Sequence, residues 1–588
     1  MKDNFKLTFV THYLHNKETS PKNDEWNLDR LIELVSIGIP LYIFVSSENA
    51  DDLVCLQGCL NIHIEVIDKS ELWVFKQLQK YEYSLPFSRN EEKDTEDYLA
   101  VSNSKIELVN RAINQNIWNT GHFAYIDFNI TYLFWEKKRT YDYLRQLAKR
   151  DLYSKMLIFP GCSSHVNIEN ISRLNDEIYW RFCGGFFVGD SESLQNWGEL
   201  YKTAFVNYLS TTQKLTWDVN FWAWMETMER WCPRWYSANH NDSIITEISV
   251  DLITKNMSSV SRIVKHTYPV IPQYRPTSAA YLKTSDGRRW LNTRYVNYWL
   301  YSNGCYGYPT SKHVIENKNM LCELDDNMSP IAGSFKEVNS DIDLPEYDGP
   351  VISRGMEDIR LYTGKDGNIR FIATNVNLSP TGTNNMIVGD YDIKNAYISN
   401  GKVILSPGNT MCEKNWIPID LSCITNNAST DYTEETFIYK WFPLEIGKMK
   451  IENNKENNKD SNEYLEIIQS YTINAPHFQK VRGSTIFQDH KDGILGVVHF
   501  SEDHNPRHYY HILVLLEKNT LRPLKYSNCF CFKNLGVEFC VGFTNELADD
   551  YVFWISQMDR DPLTVFIPKS EIELCFDFYT FAHLKRPL

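Results

Sequence analysis

Long hydrophobic runs are missing from this chain of 588 residues. No window approaches the roughly 18 apolar residues that a membrane-spanning helix needs. The first residues, Met1 to Lys6, lead into a short strand pattern and not into the apolar core of a secretory signal. We therefore expect a cytoplasmic protein without a transmembrane segment.

Closely spaced cysteine pairs are missing as well. The thirteen cysteines are an odd number without a Cys-x-x-Cys pair, and the closest spacings are Cys55/Cys59 and Cys529/Cys531. This pattern argues against a zinc site or a disulfide framework. It is typical of reduced thiols in a cytosolic protein.

Basic residues are in the minority, because 60 Lys and Arg stand against 75 Asp and Glu, a formal net charge of -15. Binding to a phosphate backbone needs a basic surface, so no nucleic-acid partner is expected. A Gly-x-x-x-x-Gly-Lys-Ser/Thr stretch is also missing, which disfavours a P-loop enzyme. Aromatic side chains, by contrast, make up 14% of the chain, and they serve cores, interfaces and stacking sites.

The chain is too long for one hydrophobic core, so two or three domains are expected. In the first half, apolar strands at 41–45, 62–67 and 124–129 alternate with helical patterns at 27–37 and 104–116. This order predicts a largely parallel, Rossmann-like sheet.

From Tyr268 onward, short strands separated by turn residues replace the helical periodicity. That pattern predicts an all-β barrel, sandwich or propeller. We place an α/β domain at 1–245, a linker at 246–267 and an all-β domain at 268–588.

The stretch Gly121–Thr131 is the first candidate site. It runs as an apolar strand to Ile126 and then places Asp127 and Asn129 two residues apart. Residues i and i+2 of an extended chain point the same way, so both offer oxygen to one hard cation. The alternative is a core strand followed by an Asx turn.

Two later features accompany this strand. Gly184 and Gly185 lie between aromatic strand patterns, where they allow a close approach of backbone to a ligand or form a bulge. Asp218 precedes a helical pattern, where it is either an N-cap or a second acid of the same site. A divalent ion there would neutralise a diphosphate leaving group.

The second half has several charged clusters beside predicted strands. Strand ends of a closed β domain converge, so their side chains can line one pocket that takes an anion and sugar hydroxyls. The alternative is a set of structural salt bridges. The candidate residues are Arg354, Glu357, Asp358, Arg360, Lys414, Arg482, His511 and Glu538.

The motifs 9–11, 43–45, 122–128 and 183–189 together resemble the HtrL/YibB family over roughly residues 5–235. That family is grouped with glycosyltransferases of the GT-A fold, which use a nucleotide-sugar donor and commonly Mn²⁺ or Mg²⁺. The resemblance implies that Asp127 and Asn129 hold the metal, although the second position of an Asp-x-Asp motif is Asn here. It implies Asp218 as the acid that faces the acceptor. We assign the nucleotide sugar to Thr11, Lys105, Asp127, Gly184 and Gly185.

Residues 354–361, 413–416 and 536–542 look like the five-bladed propeller of the mannoside phosphorylases and β-1,2-mannosyltransferases, glycoside hydrolase family 130 and its relatives. That resemblance implies Asp358 as general acid, with Arg360, Lys414, Arg482 and His511 as anion or sugar contacts. Ile359 stands where the family usually has Pro, which puts phosphorolysis in doubt.

Three hypotheses follow. The first is a two-module glycosyltransferase that moves a sugar from a nucleotide-sugar donor to a glycan acceptor in glycan or polysaccharide biosynthesis. The second is a mannoside-type phosphorylase with its chemistry at Asp358. The third is a glycan-binding protein without catalysis. The sequence leaves the oligomeric state open.

Overall fold

The structure is a computed structural model. It describes residues 5–575 except 15–23, 57, 151, 153–154, 230, 249, 251–253, 310–313, 345–352, 365, 379–382, 409–411, 421–434, 453–461, 474 and 476. The chain forms two compact units, Met1–Ile253 and Thr254–Leu588. The protein is therefore multidomain, with a mixed α/β region followed by a β-rich region.

The first unit is built on a seven-stranded sheet in the order β3-β2-β1-β4-β6-β5-β7. Its strands are β1 (Leu7–Tyr13), β2 (Leu41–Val45), β3 (Ile62–Val66), β4 (His122–Ile126), β5 (Leu157–Gly161), β6 (Phe186–Asp190) and β7 (Arg234–Ser237). Its helices are α1 (Asp24–Ser36), α2 (Trp73–Leu78), α3 (Glu96–Ser102), α4 (Lys105–Gln115), α5 (Lys137–Lys149), α6 (Ser191–Thr212), α7 (Asp218–Met228) and α8 (Ser243–Thr246).

The central strands of the sheet lie in the hydrophobic core of the first unit. β1, β2 and β4 are parallel neighbours, and every residue of β2 and β4 is buried. Successive side chains of a strand point to opposite faces. Accordingly, Phe9 and Val10 of β1 belong to different apolar clusters, so both faces of the sheet are covered.

Strand direction and order create a switch point beside β1. The chain passes from β1 outward to β2 and β3, and then returns to place β4 on the other side of β1. In open α/β sheets, ligands bind outside the carboxyl ends of the strands where the order reverses. In this unit that place is the end of β1 and β4, just before Asp127.

The second unit consists of antiparallel β meanders. The first contains β10 (Arg275–Lys283), β11 (Arg289–Val296), β14 (Ile315–Leu324), β15 (Lys336–Glu337) and the parallel edge strand β17 (Ser353–Arg354), and a hairpin is formed by β12 (Trp299–Leu300) and β13 (Tyr306–Gly307). The next contains β18 (Glu357–Thr363), β19 (Ile369–Asn375), β20 (Asn385–Asp392) and β21 (Tyr397–Leu405), with β16 (Asn339–Ser340) beside β21.

The remaining meanders complete this unit. β22 (Ile417–Pro418), β23 (Thr436–Trp441), β24 (Leu444–Glu452) and β25 (Asn462–Tyr471) form one, joined to β21 through β25. β26 (Arg482–Gly483), β27 (Gln488–His490), β28 (Gly493–Glu502), β29 (His508–Leu516), β30 (Pro523–Tyr526) and β31 (Phe530–Cys531) form another. β32 (Glu538–Thr544), β33 (Asp550–Gln557) and β34 (Asp561–Pro568) form the last, before helix α9 (Lys569–Cys575).

Part of the stretch 246–267, which the sequence analysis assigned to a linker, contributes edge strands to these meanders. β8 (Lys255–Asn256) pairs with β31, and β9 (Arg262–Val264) pairs with β34. Short edge strands of two or three residues lack the alternating pattern that identifies a strand in sequence.

No helix among the described residues is long and apolar enough to cross a membrane.

Candidate functional site

The first unit has a cavity of about 430 Å³ at the switch point beside β1. Its wall includes His12 from the end of β1 and Asp127 from the end of β4. Asn129, Gly184, Gly185 and Asp218 also line it. The structure therefore brings the separate motifs of the first half to one cavity. Further lining comes from Lys105, Tyr98, Phe128, Tyr132, Trp180, Trp217 and His240.

The floor of the cavity holds an ammonium between two carboxylates. Lys105 Nζ donates to Asp218 Oδ2 at 2.8 Å and to the Gly184 carbonyl oxygen at 2.8 Å. It lies 3.6 Å from Asp127 Oδ1. Lys105 is the first residue of α4 and is buried on the same face of that helix as Leu108, Val109 and Ala112.

Burial and the neighbouring charges shift the pKa values of Lys105 and Asp218 in opposite directions. Burial lowers the pKa of Lys105, but the Asp127 and Asp218 carboxylates outweigh it and leave that pKa above its ordinary value. Burial also raises the pKa of Asp218, and the Lys105 charge offsets only part of this effect. The arrangement therefore keeps Lys105 cationic and makes Asp218 a better proton acceptor than a free carboxylate.

Asp218 is the first residue of α7 and not its cap. The residue at the cap position is Trp217, and it has no side-chain capping bond. The Asp218 carboxylate contacts Lys105, 113 residues away. The N-cap interpretation of Asp218 is therefore wrong, and the residue lines the cavity.

Asp127 has one engaged and one open oxygen. Its Oδ1 accepts a hydrogen bond from the Tyr125 hydroxyl at 2.6 Å, and that hydroxyl lies 3.1 Å from His12 Nδ1. Burial lowers the pKa of His12 to about 4, so this imidazole is neutral at neutral pH. Asp127 Oδ2 accepts no hydrogen bond from any residue that the structure describes.

The oxygen ligands fit a divalent ion that shares its coordination with a substrate. Asp127 and Asn129 both line the cavity, and Mg²⁺ commonly takes one or two protein oxygens together with substrate phosphates and water. Among the described residues, Asp127 is not part of a group of three or more His, Cys, Asp or Glu ligands. The donor set thus fits Mn²⁺ or Mg²⁺ only when a diphosphate supplies further oxygens.

The two glycines allow close packing around the carboxylates. A Cβ on Gly185 would lie 3.3 Å from Asp127 Oδ2. A Cβ on Gly184 would lie 2.9 Å from Val219 Cγ1 and 3.2 Å from Asp218 Oδ2. A side chain at either position would therefore crowd the carboxylates of Asp127 and Asp218.

Thr11 lies next to the cavity residues but faces elsewhere. Its side chain is fully buried within β1 and is not among the residues that line the cavity. The following residue, His12, lines it instead. The alternation of a strand explains the difference, because neighbouring side chains point to opposite faces.

In the second unit, Asp358 is held at a β-bulge. The register of β18 against β19 shifts between Glu357 and Arg360, and Asp358 has a φ of 54°. Its Oδ1 accepts from Arg294 Nη1 at 2.8 Å and from the Ser278 hydroxyl at 3.2 Å. The bulge therefore directs this buried carboxylate at a buried guanidinium.

The charge state of Asp358 does not suit a general acid. Burial alone would raise its pKa, but the cations of Arg294, Arg360 and Lys414 lower that pKa below its ordinary value. The carboxyl group is therefore ionised at neutral pH and has no proton to donate. Asp559, which lies near this cluster, has its pKa raised by burial.

Neighbouring charges complete the cluster. Glu357 Oε1 pairs with Lys414 Nζ at 3.0 Å and lies 3.7 Å from Arg294 Nη2. The fully buried Arg360 donates to the Ser484 carbonyl oxygen at 2.7 Å and to Asn415 Oδ1 at 3.0 Å. The structure thus brings Glu357, Asp358, Arg360 and Lys414 together in one cluster of ion pairs and hydrogen bonds.

The other predicted residues of this pocket occupy different surroundings. Arg354 and Arg482 are exposed strand residues. His511 is fully buried against the Phe530 and Phe532 rings, and burial lowers its pKa to about 3. Glu538 accepts three backbone N–H bonds from residues 532–534, each at 2.9 Å.

A separate cavity of about 410 Å³ in the second unit is lined by other residues, among them Tyr301, Pro506, Gly536 and Arg560.

Several site residues were not assigned from the sequence. In the first unit these are His12, Tyr125, Trp180 and His240, and in the second Arg294. Tyr125 stands in the motif 122–128, but its partner His12 is 113 residues away, and Arg294 is 64 residues from its partner Asp358. His12 has a usable signal, because it lies one residue before the end of β1, beside the switch point.

One protein family matches the chain, over residues 67–218, and it is described as a bacterial protein of unknown function (HtrL_YibB). The resemblance to HtrL/YibB is thereby confirmed for that part of the chain. No curated protein matches.

The chain is also similar to solved structures of carbohydrate-active enzymes. The β-1,2-mannobiose phosphorylase from Listeria innocua, in complex with β-1,2-mannobiose, is 13% identical, with a TM-score of 0.32 over 53% of this chain and 98% of that chain. MPT-4, a mannose phosphorylase from Leishmania mexicana in complex with phosphate, is 9% identical, with a TM-score of 0.32 over 58% and 97%. MPT-1, a GDP-Man-dependent mannosyltransferase from Leishmania mexicana, is 12% identical, with a TM-score of 0.32 over 53% and 90%.

Proposed function

We propose that the protein is a glycosyltransferase whose first unit, a GT-A-like domain, transfers a sugar from a nucleotide-sugar donor to a glycan acceptor. The observation that carries this proposal is the Lys105 ammonium, held between Asp127 and Asp218 at the floor of the cavity. A cation and two acids at the switch point of an open α/β sheet suit a substrate with a diphosphate and a reacting hydroxyl.

The residues of the cavity divide the chemistry between them. Asp218, whose pKa burial raises, takes the proton of the acceptor hydroxyl. The acceptor oxygen then bonds to the anomeric carbon as the bond to the diphosphate breaks. Aromatic side chains such as Trp180 and Tyr98 line the same cavity and offer stacking faces for a base or a sugar ring.

Asp127 and Asn129 would hold Mn²⁺ or Mg²⁺ once the donor is in place. The ion supplies positive charge that stabilises the leaving diphosphate. Tyr125 fixes the Asp127 carboxylate through Oδ1 and leaves Oδ2 to face the ligand.

The test compares Asp127→Asn and Asp218→Asn with Asp326→Asn, which removes a carboxylate that is 96% exposed. Release of nucleoside diphosphate from a panel of nucleotide sugars is measured with Mn²⁺ present. We expect turnover to fall at least a hundredfold in the two cavity variants and to stay unchanged in the third. Equal turnover in all three variants would place the chemistry elsewhere.

For the second unit we propose a five-bladed β-propeller that binds the glycan acceptor. The successive antiparallel meanders support the blade arrangement. The buried Arg294 and Asp358, together with the partly exposed Lys414, offer both charges to sugar hydroxyls. Under this proposal, Asp358→Asn raises the KM for the acceptor and leaves kcat within about twofold.

A phosphorylase is the second candidate, because Lys414 and Arg360 suit an anion. The ionised state of Asp358 speaks against it. The two candidates separate in one assay, since phosphorolysis of a mannoside releases a sugar phosphate only when inorganic phosphate is present. If the wild type releases a sugar phosphate and Asp358→Asn does not, the second unit is a phosphorylase and the acceptor-binding proposal is wrong.

A further inference from the structure

Three side chains of types that ligate metals, Cys162, Cys183 and His240, converge beside the first unit's cavity. Cys162 Sγ lies 3.0 Å from Cys183 Sγ and 3.9 Å from His240 Nδ1. The three ligand atoms all lie within 4.8 Å of one another. His240 lines the cavity, and Gly184, which follows Cys183, does so too.

The sheet explains why these distant residues converge. Cys162 follows β5, Cys183 precedes β6 and His240 follows β7, and β5 lies between β6 and β7. The backbone is tied at this edge, because Cys183 N donates to the Pro160 carbonyl oxygen at 2.9 Å and Ala238 N to the Gly161 carbonyl oxygen at 2.9 Å. The Trp180 ring packs edge-on against His240 at 4.4 Å between centroids.

We propose that Cys162, Cys183 and His240 form a binding site for a thiophilic divalent cation such as Zn²⁺. Two sulfurs and one imidazole are ligands that Zn²⁺ prefers, and three protein ligands leave a fourth position open. Two sulfurs that share a tetrahedral Zn²⁺ at about 2.3 Å lie about 3.8 Å apart. A side-chain rotation that moves the sulfurs apart by less than about 1 Å therefore accommodates the ion.

The open coordination position would be next to the cavity because His240 belongs to its wall. The site is distinct from the oxygen ligands of Asp127 and Asn129, and it does not depend on the transferase proposal.

The test titrates the reduced, chelator-treated full-length protein with Co²⁺, which gives thiolate-to-metal charge-transfer absorption, and then displaces the Co²⁺ with Zn²⁺. We expect one equivalent of Co²⁺ per chain. Cys162→Ser and His240→Ala should each weaken binding at least tenfold, whereas Cys305→Ser, which changes an exposed cysteine, should bind as the wild type does.

His240 is exposed, so His240→Ala tests a ligand without removing a buried side chain. Binding that is absent in the wild type, or unchanged in both ligand variants, would overturn the proposal. A further outcome would also overturn it. Mass spectrometry would find a Cys162–Cys183 disulfide in protein purified without reductant, and the reduced protein would take up no Co²⁺.

Discussion

Lys105 touches both acids of the first unit's cavity, and a single ammonium therefore offsets the charge of two carboxylates. Buried and surface ion pairs differ in how much stability is lost when one partner is removed. Removing one partner of a buried pair leaves an uncompensated charge that water does not solvate. An exposed pair such as Lys155 with Glu192, 3.4 Å apart, contributes little.

We expect Lys105→Met to lower the free energy of unfolding by about 3–5 kcal/mol, because the buried Asp218 loses its cation. Lys105→Met combined with Asp218→Asn should recover part of that loss, since the unpaired charge is gone. Chemical denaturation of the first unit measures both. The matched control, Lys155→Met, should change stability by less than about 1 kcal/mol. A loss in Lys105→Met that the second substitution deepens would contradict the pairing.

Glu538 predicts a pH dependence of the second unit. Burial raises its pKa to about 7 despite three backbone N–H bonds. The folded state therefore binds a proton more tightly than the unfolded state. Stability is fully present below the unfolded pKa of about 4.5 and falls by up to about 3 kcal/mol as pH rises through 7.

Denaturation at pH 5, 6, 7 and 8 measures this slope, and Glu538→Gln should flatten it because an amide does not titrate. An identical slope in wild type and variant would assign the pH dependence to other groups.

At the scale of elements, the loop before β6 is packed against the acids of the cavity. Gly185→Ala would bring a Cβ to 3.3 Å from Asp127 Oδ2, the oxygen that we propose to face the ligand. We expect the variant to fold and to bind a nucleotide sugar at least tenfold more weakly, as measured by calorimetric titration. Gly121→Ala is the control, because a Cβ there meets nothing within 4 Å. Unchanged affinity in Gly185→Ala would remove this oxygen from the donor site.

The bulge in β18 places Asp358 against Arg294, and both are buried. Asp358→Ala removes the closest carboxylate of this buried guanidinium, so we expect a loss of about 3–5 kcal/mol in the stability of the second unit. Asp326→Ala removes an exposed partner of Arg289 and should cost less than about 1 kcal/mol. Thermal denaturation measures both losses. Similar losses in the two variants would show that the buried Asp358–Arg294 pair stabilises the fold no more than the exposed Asp326–Arg289 pair does.

Strands and helices whose own residues show a hydrophobic pattern were predictable from the sequence. Contacts between residues far apart in the chain were not. β2 and β4 are continuous apolar runs, and the structure buries every residue in them. The choice between cap and site acid at Asp218 depended on Lys105, 113 residues away. Cys162 and His240 are 78 residues apart, so no spacing rule for a metal motif finds them.

At the scale of the whole molecule, the chain consists of two compact units, each with its own core. The α/β character of the first and the β-rich character of the second followed from the periodicity. The division between 253 and 254 was harder to predict, because β8 and β9 gain their partners, β31 and β34, only from the far end of the chain.

We expect the two units to respond separately to ligand and mutation in calorimetry. A nucleotide sugar at one hundred times its dissociation constant should stabilise one transition by about 2.7 kcal/mol. Asp358→Ala should lower the other transition and leave the ligand shift unchanged. A single transition that responds to both changes would show that the units unfold together.

The open oxygen of Asp127 has a consequence for the order in which ligands arrive. Asp127, Asp218 and Lys105 together leave the cavity floor with one net negative charge when both acids are ionised, and a diphosphate brings more of the same sign. A diphosphate that binds first meets this negative charge. A divalent ion that binds first lacks the diphosphate oxygens that complete its coordination. Under the proposed function, each ligand therefore raises the affinity for the other by the same factor, and Mn²⁺ titrations with and without a nucleoside diphosphate yield that factor directly.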